Sequence, residues 1–88
     1  MNALPERPLL NRRFRMQYEP AQQAHVLLYP EGMVKLNQSA GEILRRCDGA
    51  RSVAEVVADL EQAFATTGLE ADVIAFLELA RKQQWIDV

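Results

Sequence analysis

The sequence has little of what metal-binding and disulfide-rich proteins require, because its 88 residues include one cysteine and one histidine. A structural zinc site takes about four Cys or His ligands and a disulfide takes two cysteines, so neither can be built within this chain. The sequence also has no apolar run of about 18 residues, as a membrane-spanning helix needs, and no secretory signal at its start. We therefore expect a protein without metal or cofactor, working in the reducing cytoplasm and away from membranes.

The sequence also lacks the common catalytic and phosphate-binding motifs. It contains no glycine-rich phosphate loop, no G-x-S-x-G turn and no H-E-x-x-H motif. Cys47 lies among apolar residues at helical spacing, which is typical of a buried core thiol, and His25 lies in an apolar strand pattern. Glu55, Asp59 and Glu61 are spaced like the solvent face of a helix. We therefore predict no catalytic residue and no enzyme activity.

Charge is nearly balanced along the whole chain but unevenly distributed, with a formal net charge of -2 at pH 7. Up to Lys35 there are five basic and three acidic residues, whereas from Leu36 onward there are five basic and nine acidic residues. Proteins that bind nucleic acid concentrate basic residues on the element that meets phosphate. No Lys or Arg occurs between Val53 and Phe64, which would form the second helix. The charge pattern therefore argues against DNA recognition by that helix.

Alternating apolar residues in the first half predict three β-strands. Residues 13–18 alternate between apolar and polar, residues 24–29 are apolar on both faces like a middle strand, and residues 33–36 form a third short strand. Short turns between them favour an antiparallel meander in sequence order. Residues 1–9 contain two prolines and are expected to form an irregular arm, followed by a single folded domain over residues 10–88.

The second half changes to the spacing of amphipathic helices. Either Asn37 or Ser39 can cap a first helix, which we expect to end at Asp48-Gly49. Ser52 and Glu55 form a capping-box pattern at the start of a second helix.

A third helix completes the predicted order. Thr67 and Glu70 repeat the capping pattern, and the apolar stripe that follows continues to about Gln83. Residues 85–88 are expected to form a short tail that folds back on the core. The order β-β-β-α-α-α predicts an α+β fold with a three-stranded antiparallel sheet.

The two predicted sheet edges differ in charge. The first strand carries Arg12, Arg13 and Arg15, and charges along an edge strand discourage pairing with another chain. The third strand carries Lys35 alone, so its edge is the more accessible one for an added peptide strand. Alternatively, a helix covers this edge or a second copy of the chain pairs with it. Extra apolar surface on the third helix either packs around Trp85 or forms the wall of a groove.

Several segments, in order, resemble the PqqD family, the peptide chaperones of pyrroloquinoline quinone (PQQ) biosynthesis. The stretch from Leu28 to Leu44 contains a Pro-Glu-Gly turn and a Leu-Asn-x-Ser-Ala helix cap. An Asp-Gly break, an Asp-Val helix start and a Trp-Ile pair follow at 48–49, 72–73 and 85–86. In one departure, Gln84 stands where the family pattern usually has Gly, which leaves open whether the third helix runs on or turns differently.

The resemblance implies a winged-helix-like module called a RiPP recognition element, which binds a ribosomally made precursor peptide and is not a catalyst. The implied partners are the precursor peptide PqqA and the radical SAM enzyme PqqE, which crosslinks a Glu and a Tyr within that peptide. In the wider class, the peptide adds as a strand to the third strand, in the cleft beside the third helix. Carried onto this sequence, the implied peptide-binding residues are Met33, Val34, Lys35, Leu36, Asp72, Phe76, Leu79 and Ala80.

Two other functions stay open at the level of sequence. One is a winged-helix DNA-binding module, and the other is a dimerisation or scaffold module that pairs the same strand edge within a homodimer. Asp72 also has two interpretations, since an acidic residue in the first turn of a helix is favoured by the helix dipole whether or not it contacts a peptide.

Overall fold

This chain folds into a three-stranded antiparallel sheet followed by three helices. The computed structural model describes residues 4–87. The strands, in the sheet order β1-β2-β3, are β1 (Arg15–Glu19), β2 (Ala24–Tyr29) and β3 (Gly32–Lys35). The helices are α1 (Gln38–Leu44), α2 (Val53–Ala63) and α3 (Glu70–Lys82). The predicted α+β class and element order are confirmed.

Strand β1 begins two residues later than the alternating pattern predicted. A tight turn occupies the positions before it, because the Asn11 side chain accepts a hydrogen bond from the Arg13 N–H at 2.8 Å. The Phe14 N–H also donates to the Asn11 carbonyl oxygen at 2.9 Å. The apolar alternation is unaffected, since Phe14 still packs beside the core on the face that continues into β1.

The caps of α1 and α2 follow directly from the sequence. Asn37 is the α1 cap, and its side-chain oxygen accepts the Ala40 N–H at 2.7 Å. Ser52 and Glu55 form the predicted capping box, with each side chain bonded to the backbone N–H of the other. Helix α1 ends at Leu44, earlier than the expected Asp48-Gly49.

The cap predicted for α3 is wrong. Leu69 stands at the cap position with no side-chain cap, and neither Thr67 nor Glu70 forms the reciprocal bonds of a capping box. Instead, the Leu69 N–H donates to a carboxylate oxygen of Glu61 on α2, at 3.0 Å. A tertiary contact has therefore replaced the local cap, and it ties the start of α3 to α2.

The core lies between the inner face of the sheet and one stripe of each helix. Cys47 is buried there as predicted, and burial raises the pKa of its thiol to about 12, so the thiol stays protonated near neutral pH. The buried core cluster comprises Leu27, Leu36, Ala40, Ile43, Leu44, Cys47, Val56, Val57, Leu60, Val73, Leu77, Ala80 and Ile86.

Both ends of the described chain pair with other segments. Leu9 forms an antiparallel bridge with Asp48, and Leu10 forms one with Ile86. Pro8 and Ile86 are fully buried, so the expected arm contributes to packing and the C-terminal segment folds back on the core as predicted. The first three residues of the expected arm and Val88 of the tail lie outside the described residues.

Helix α3 ends in a Schellman motif centred on Gln84. The Trp85 N–H donates to the Ala80 carbonyl at 2.8 Å, and the Gln84 N–H donates to the Arg81 carbonyl at 3.0 Å. Gln84 takes a φ of 64°, in the left-handed region that favours glycine. The helix therefore turns without glycine, and a side chain occupies a strained backbone position.

Replacing Gln84 with glycine is expected to stabilise the fold. The left-handed conformation costs a residue with a side chain about 1–2 kcal/mol, whereas glycine loses about 0.5–1 kcal/mol more backbone entropy on folding. We therefore expect Gln84→Gly to raise the free energy of unfolding by about 0.5–1 kcal/mol, measured by urea denaturation. Gln83→Gly is the matched control and should lower it, since Gln83 has a φ of -80°. A Gln84→Gly variant with a lower free energy of unfolding than the wild type would contradict the inference that the Gln84 backbone is strained.

Candidate functional site

Strand β3 has an open backbone edge. Just after β3, the Leu36 N–H donates to the His25 carbonyl oxygen at 3.0 Å, which marks a hydrogen-bonded pair of the β2–β3 ladder. Bonded and non-bonded pairs alternate along an antiparallel ladder, so the backbone groups of Met33 and Lys35 point away from β2. Within residues 4–87, no further strand pairs with that side of β3. The edge can therefore accept an added strand through these two residues.

The side chains of the third strand divide between the two faces of the sheet. Val34 is half-buried beside the core, whereas Met33 and Lys35 lie on the opposite face, where Met33 is 47% exposed. Leu36 is buried in the core and its N–H is already bonded to β2. Among the four residues expected from this strand, Leu36 thus presents neither a free N–H nor exposed side-chain surface.

On α3, the expected residues separate into a surface stripe and a core position. Asp72, Phe76 and Leu79 share one stripe of the helix, with Asp72 exposed, Phe76 half-buried and Leu79 46% exposed. The Phe76 ring packs near Trp85, with ring centroids 6.3 Å apart. Ala80 is fully buried in the core. The surface stripe, rather than Ala80, is what α3 offers to a ligand.

Two cavities lie at opposite ends of this stripe. The α1–α3 cavity, of about 270 Å³, is lined by Asp72 together with residues of α1 and of the segment that joins α2 to α3. The β3–α3 cavity, of about 220 Å³, is lined by Val34 of β3, Gln83 after α3, Phe14, Tyr29 and Trp85, among others. From Asp72 to Gln83 the stripe spans eleven residue steps, or about 16 Å of helix, which about five residues of an extended peptide would match.

Sequence reasoning missed most of the residues that line the β3–α3 cavity. Tyr29 packs edge-on against Phe14 with ring centroids 5.4 Å apart, and Trp85 closes the cavity from the C-terminal segment. One signal for Gln83 was available, because it follows Asp72 by eleven residues and so extends the same helical stripe. The others come from segments far apart in the sequence.

Arg46 organises the charge beside the α1–α3 cavity. It is the buried charged residue of the core region, and it forms ion pairs with Glu42 at 2.7 Å and with Asp59. The hydrogen bond from Arg46 holds the pKa of Glu42 below its ordinary value, although partial burial opposes this. Burial acts to lower the pKa of Arg46, but the hydrogen bonds to both carboxylates outweigh it and raise the pKa. The Glu42 charge on the cavity wall is therefore already compensated.

Residues 4–87 contain no group of three or more His, Cys, Asp or Glu placed to hold a metal ion. In the same part of the chain, no helix is both long enough and apolar enough to cross a membrane. The features that distinguish this surface are thus a free strand edge, an apolar helix stripe and two cavities.

The chain is similar to proteins of PQQ synthesis. Residues 24–86 match the family model of coenzyme PQQ synthesis protein D, PqqD. The PqqA binding protein of Pseudomonas aeruginosa strain UCBPP-PA14 is 58% identical over 82 residues, covering 92% of this chain and 89% of that protein. The PqqA binding protein of Azotobacter vinelandii is 57% identical over 82 residues, with the same coverage of 92% and 89%.

A solved structure shares the fold. It is the solution NMR structure of the PqqD truncation of Methylobacterium extorquens PqqCD, described as a functional, stand-alone RiPP recognition element. The two superpose with a TM-score of 0.76 at 27% sequence identity, covering 99% of this chain and 97% of the other. The order of three strands and three helices is therefore that of a RiPP recognition element.

Removing the Glu42 carboxylate is expected to destabilise the fold in a pH-dependent way. The folded-state pKa of Glu42 lies below the unfolded-state value, so the ion pair stabilises the fold fully above the unfolded-state pKa. This stabilisation is lost as the pH falls through the folded-state pKa. We expect Glu42→Gln to lower the free energy of unfolding by about 1–2 kcal/mol at pH 7, since Arg46 keeps Asp59 as a partner.

Urea denaturation at several pH values tests this expectation. The stability difference between the wild type and Glu42→Gln should shrink as the solution becomes more acidic. Glu78→Gln is the matched control, because Glu78 makes no ion pair within residues 4–87 and its replacement should lower the free energy of unfolding much less. A stability difference that stays constant into strong acid would contradict the assigned role of Glu42.

Proposed function

This chain belongs to the PqqD family, and on that premise we propose that it binds the precursor peptide PqqA by strand addition at the β3 edge. The observation that carries the proposal is the pair of outward-facing backbone positions, Met33 and Lys35, on an edge that no other strand of residues 4–87 covers. The curated relatives are themselves named as PqqA binding proteins, which supports the same ligand. The role is binding, and the chemistry belongs to another protein.

Strand addition suits a disordered precursor peptide. Ordering each residue of such a peptide costs about 1–2 kcal/mol of backbone entropy, and hydrogen bonds to an existing edge offset part of that cost. Because the coupled ordering consumes several kcal/mol, we propose a moderate affinity, with a Kd of about 1 μM. A moderate affinity also leaves the peptide free to dissociate after delivery.

Selectivity comes from side chains rather than from the backbone. An extended peptide on the β3 edge points alternate side chains towards α3, where Phe76 and Leu79 supply apolar surface. The β3–α3 cavity and the α1–α3 cavity lie at the two ends of that surface, and each has room for a side chain. Met33, Val34, Lys35, Asp72, Phe76 and Leu79 form the proposed peptide-binding set, to which the cavities add Tyr29 and Gln83.

We propose further that the chain presents bound PqqA to the radical SAM enzyme PqqE in the cytoplasm. A peptide held along about five residues has the rest of its length free to enter an active site elsewhere. The single cysteine of the chain, Cys47, is free, as cysteines usually are in a reducing compartment. Presentation requires no catalytic group on this chain, only that peptide and enzyme be bound together.

Blocking the β3 edge is expected to weaken peptide binding. Lys35→Pro removes one outward N–H donor and adds a ring at the same edge, so we expect a Kd for PqqA about five- to tenfold higher. Lys35→Ala keeps the N–H and should bind within about twofold of the wild type. Isothermal titration calorimetry with synthetic PqqA measures all three.

Tyr18→Pro is the matched control for a proline at a sheet edge. By the same ladder alternation, the Tyr18 N–H points outward from β1, so this variant blocks the opposite edge and should bind PqqA normally. Amide spectra first establish that each variant is folded. A folded Lys35→Pro variant that binds PqqA like the wild type would rule out the β3 edge. Sizing over a concentration series detects the alternative homodimer, which PqqA should disrupt if two copies share this edge.

Delivery to PqqE predicts an effect on the crosslinking reaction itself. With PqqE and limiting PqqA, the rate of Glu–Tyr crosslink formation should rise on addition of the wild-type chain or of Lys35→Ala. It should rise less with Lys35→Pro, because less peptide is bound. Mass spectrometry of the peptide measures the product. Equal rates with and without the wild-type chain would refute presentation while leaving PqqA binding intact.

A further inference from the structure

The α1–α3 cavity lies near the end of β3, because its lining includes Gln38 and Ser39. Gln38 and Ser39 on its wall follow β3 within four residues, so a peptide strand that runs along β3 and past Lys35 arrives at the cavity mouth. Its volume of about 270 Å³ exceeds the roughly 150 Å³ that accommodates benzene in a protein interior. One aromatic side chain therefore fits with room to spare.

The lining of this cavity is apolar on most sides. Ile43, Leu60 and Val73 are buried in its floor, and Phe64 at the end of α2 lies on its wall while remaining 45% exposed. A ligand that covers this half-exposed ring would remove apolar surface from water, which favours binding. The cavity is therefore suited to an apolar occupant.

The charge on the cavity is negative and only partly compensated. Its lining contains two carboxylates and no Lys or Arg. Glu42 is bonded to both Arg45 and Arg46, whereas Asp72 makes no ion pair with any residue of the described range 4–87. The remaining charge at the cavity is thus that of Asp72, and it favours a cation beside the apolar occupant.

We propose that the α1–α3 cavity is a specificity pocket for an aromatic residue of the bound peptide that adjoins a lysine or arginine, whose cationic group pairs with Asp72. This inference rests on the proposed peptide-binding function and adds to it the chemical class of the residues that are read. The long side chain of a neighbouring Lys or Arg reaches the exposed Asp72 carboxylate while the aromatic ring fills the cavity. Asp72 acts here as a specificity residue, beyond its favourable place in the first turn of α3.

Short probes test the pocket without PqqA. Acetyl-Phe-Lys-amide, titrated at millimolar concentration into the ¹⁵N-labelled protein, should shift the amide signals of Ser39, Thr66 and Val73. Acetyl-Phe-Glu-amide should shift the same signals less at equal concentration. Asp72→Asn should raise the Kd of the Phe-Lys probe about two- to fivefold, as expected for an exposed charge pair. Glu70→Gln, which removes a carboxylate from the same first turn of α3 but not from the cavity, should leave it unchanged.

A mutant cycle with PqqA tests the same pocket in the full ligand. Each Lys or Arg of PqqA is replaced singly by Gln, and each peptide is titrated into the wild type, Asp72→Asn and Glu70→Gln. At one basic position, the replacement should weaken binding to the wild type and to Glu70→Gln, yet have little effect on Asp72→Asn. Such a result would show that the Asp72 carboxylate and that cation of PqqA are energetically coupled, as expected of contacting groups.

The outcomes separate this inference from the function on which it rests. If the Phe-Lys probe shifts the cavity signals but the protein does not bind PqqA, the pocket is supported and the proposed ligand is refuted. PqqA binding that depends on the β3 edge, with Asp72→Asn and Glu70→Gln behaving alike for every peptide, would overturn the pocket alone. Phe-Lys and Phe-Glu probes that shift the cavity signals equally would also overturn it.

Discussion

Backbone pairing between residues 9–11 and residues 85–87 holds α3 beside the sheet, and the candidate groove depends on it. The Asn11 N–H donates to the Trp85 carbonyl at 2.8 Å, and the Asp87 N–H donates to the Leu9 carbonyl at 2.9 Å. The Schellman turn at Gln84 directs the chain towards residues 9–11, so the end of α3 lies close to the segment that precedes β1. Without it, α3 would keep its packing on α2, but the β3–α3 cavity would lose the wall that Trp85 supplies.

Most of the fold could be predicted because its signals are local. The capping box at Ser52 and the apolar run of β2 each lie within a few residues, and both are found in the structure. The false cap at Thr67 shows where local signals stop, because the bond from Leu69 to Glu61 links two helices and leaves no mark on the nearby sequence. The departure at Gln84 was visible in the sequence, but its consequence depended on the Schellman bonds that the chain makes there.

The site could be predicted only in outline. The β3 edge followed from strand order, but the roles of individual residues depend on register, and a shift of one residue exchanges the two faces of a strand. That is why Leu36, expected among the peptide contacts, lies in the core with its N–H bonded to β2, while Met33 and Lys35 have the outward backbone groups. The β3–α3 cavity joins Phe14, Tyr29 and Trp85 across most of the chain, and no spacing rule connects such distant positions.

The two edges of the sheet explain why a peptide would choose one of them. The β1 strand begins with Arg15, an exposed charge that an added strand at that edge would have to desolvate. Arg13 does not protect that edge, because it pairs with Glu31 of the β2–β3 turn at 3.3 Å and lines the β3–α3 cavity. The β3 edge carries one flexible lysine, whose side chain lies on the face away from the helices, and it borders apolar surface on α3. Both edges offer backbone hydrogen bonds, so the difference lies in what surrounds them, and the apolar side of β3 favours the added strand there.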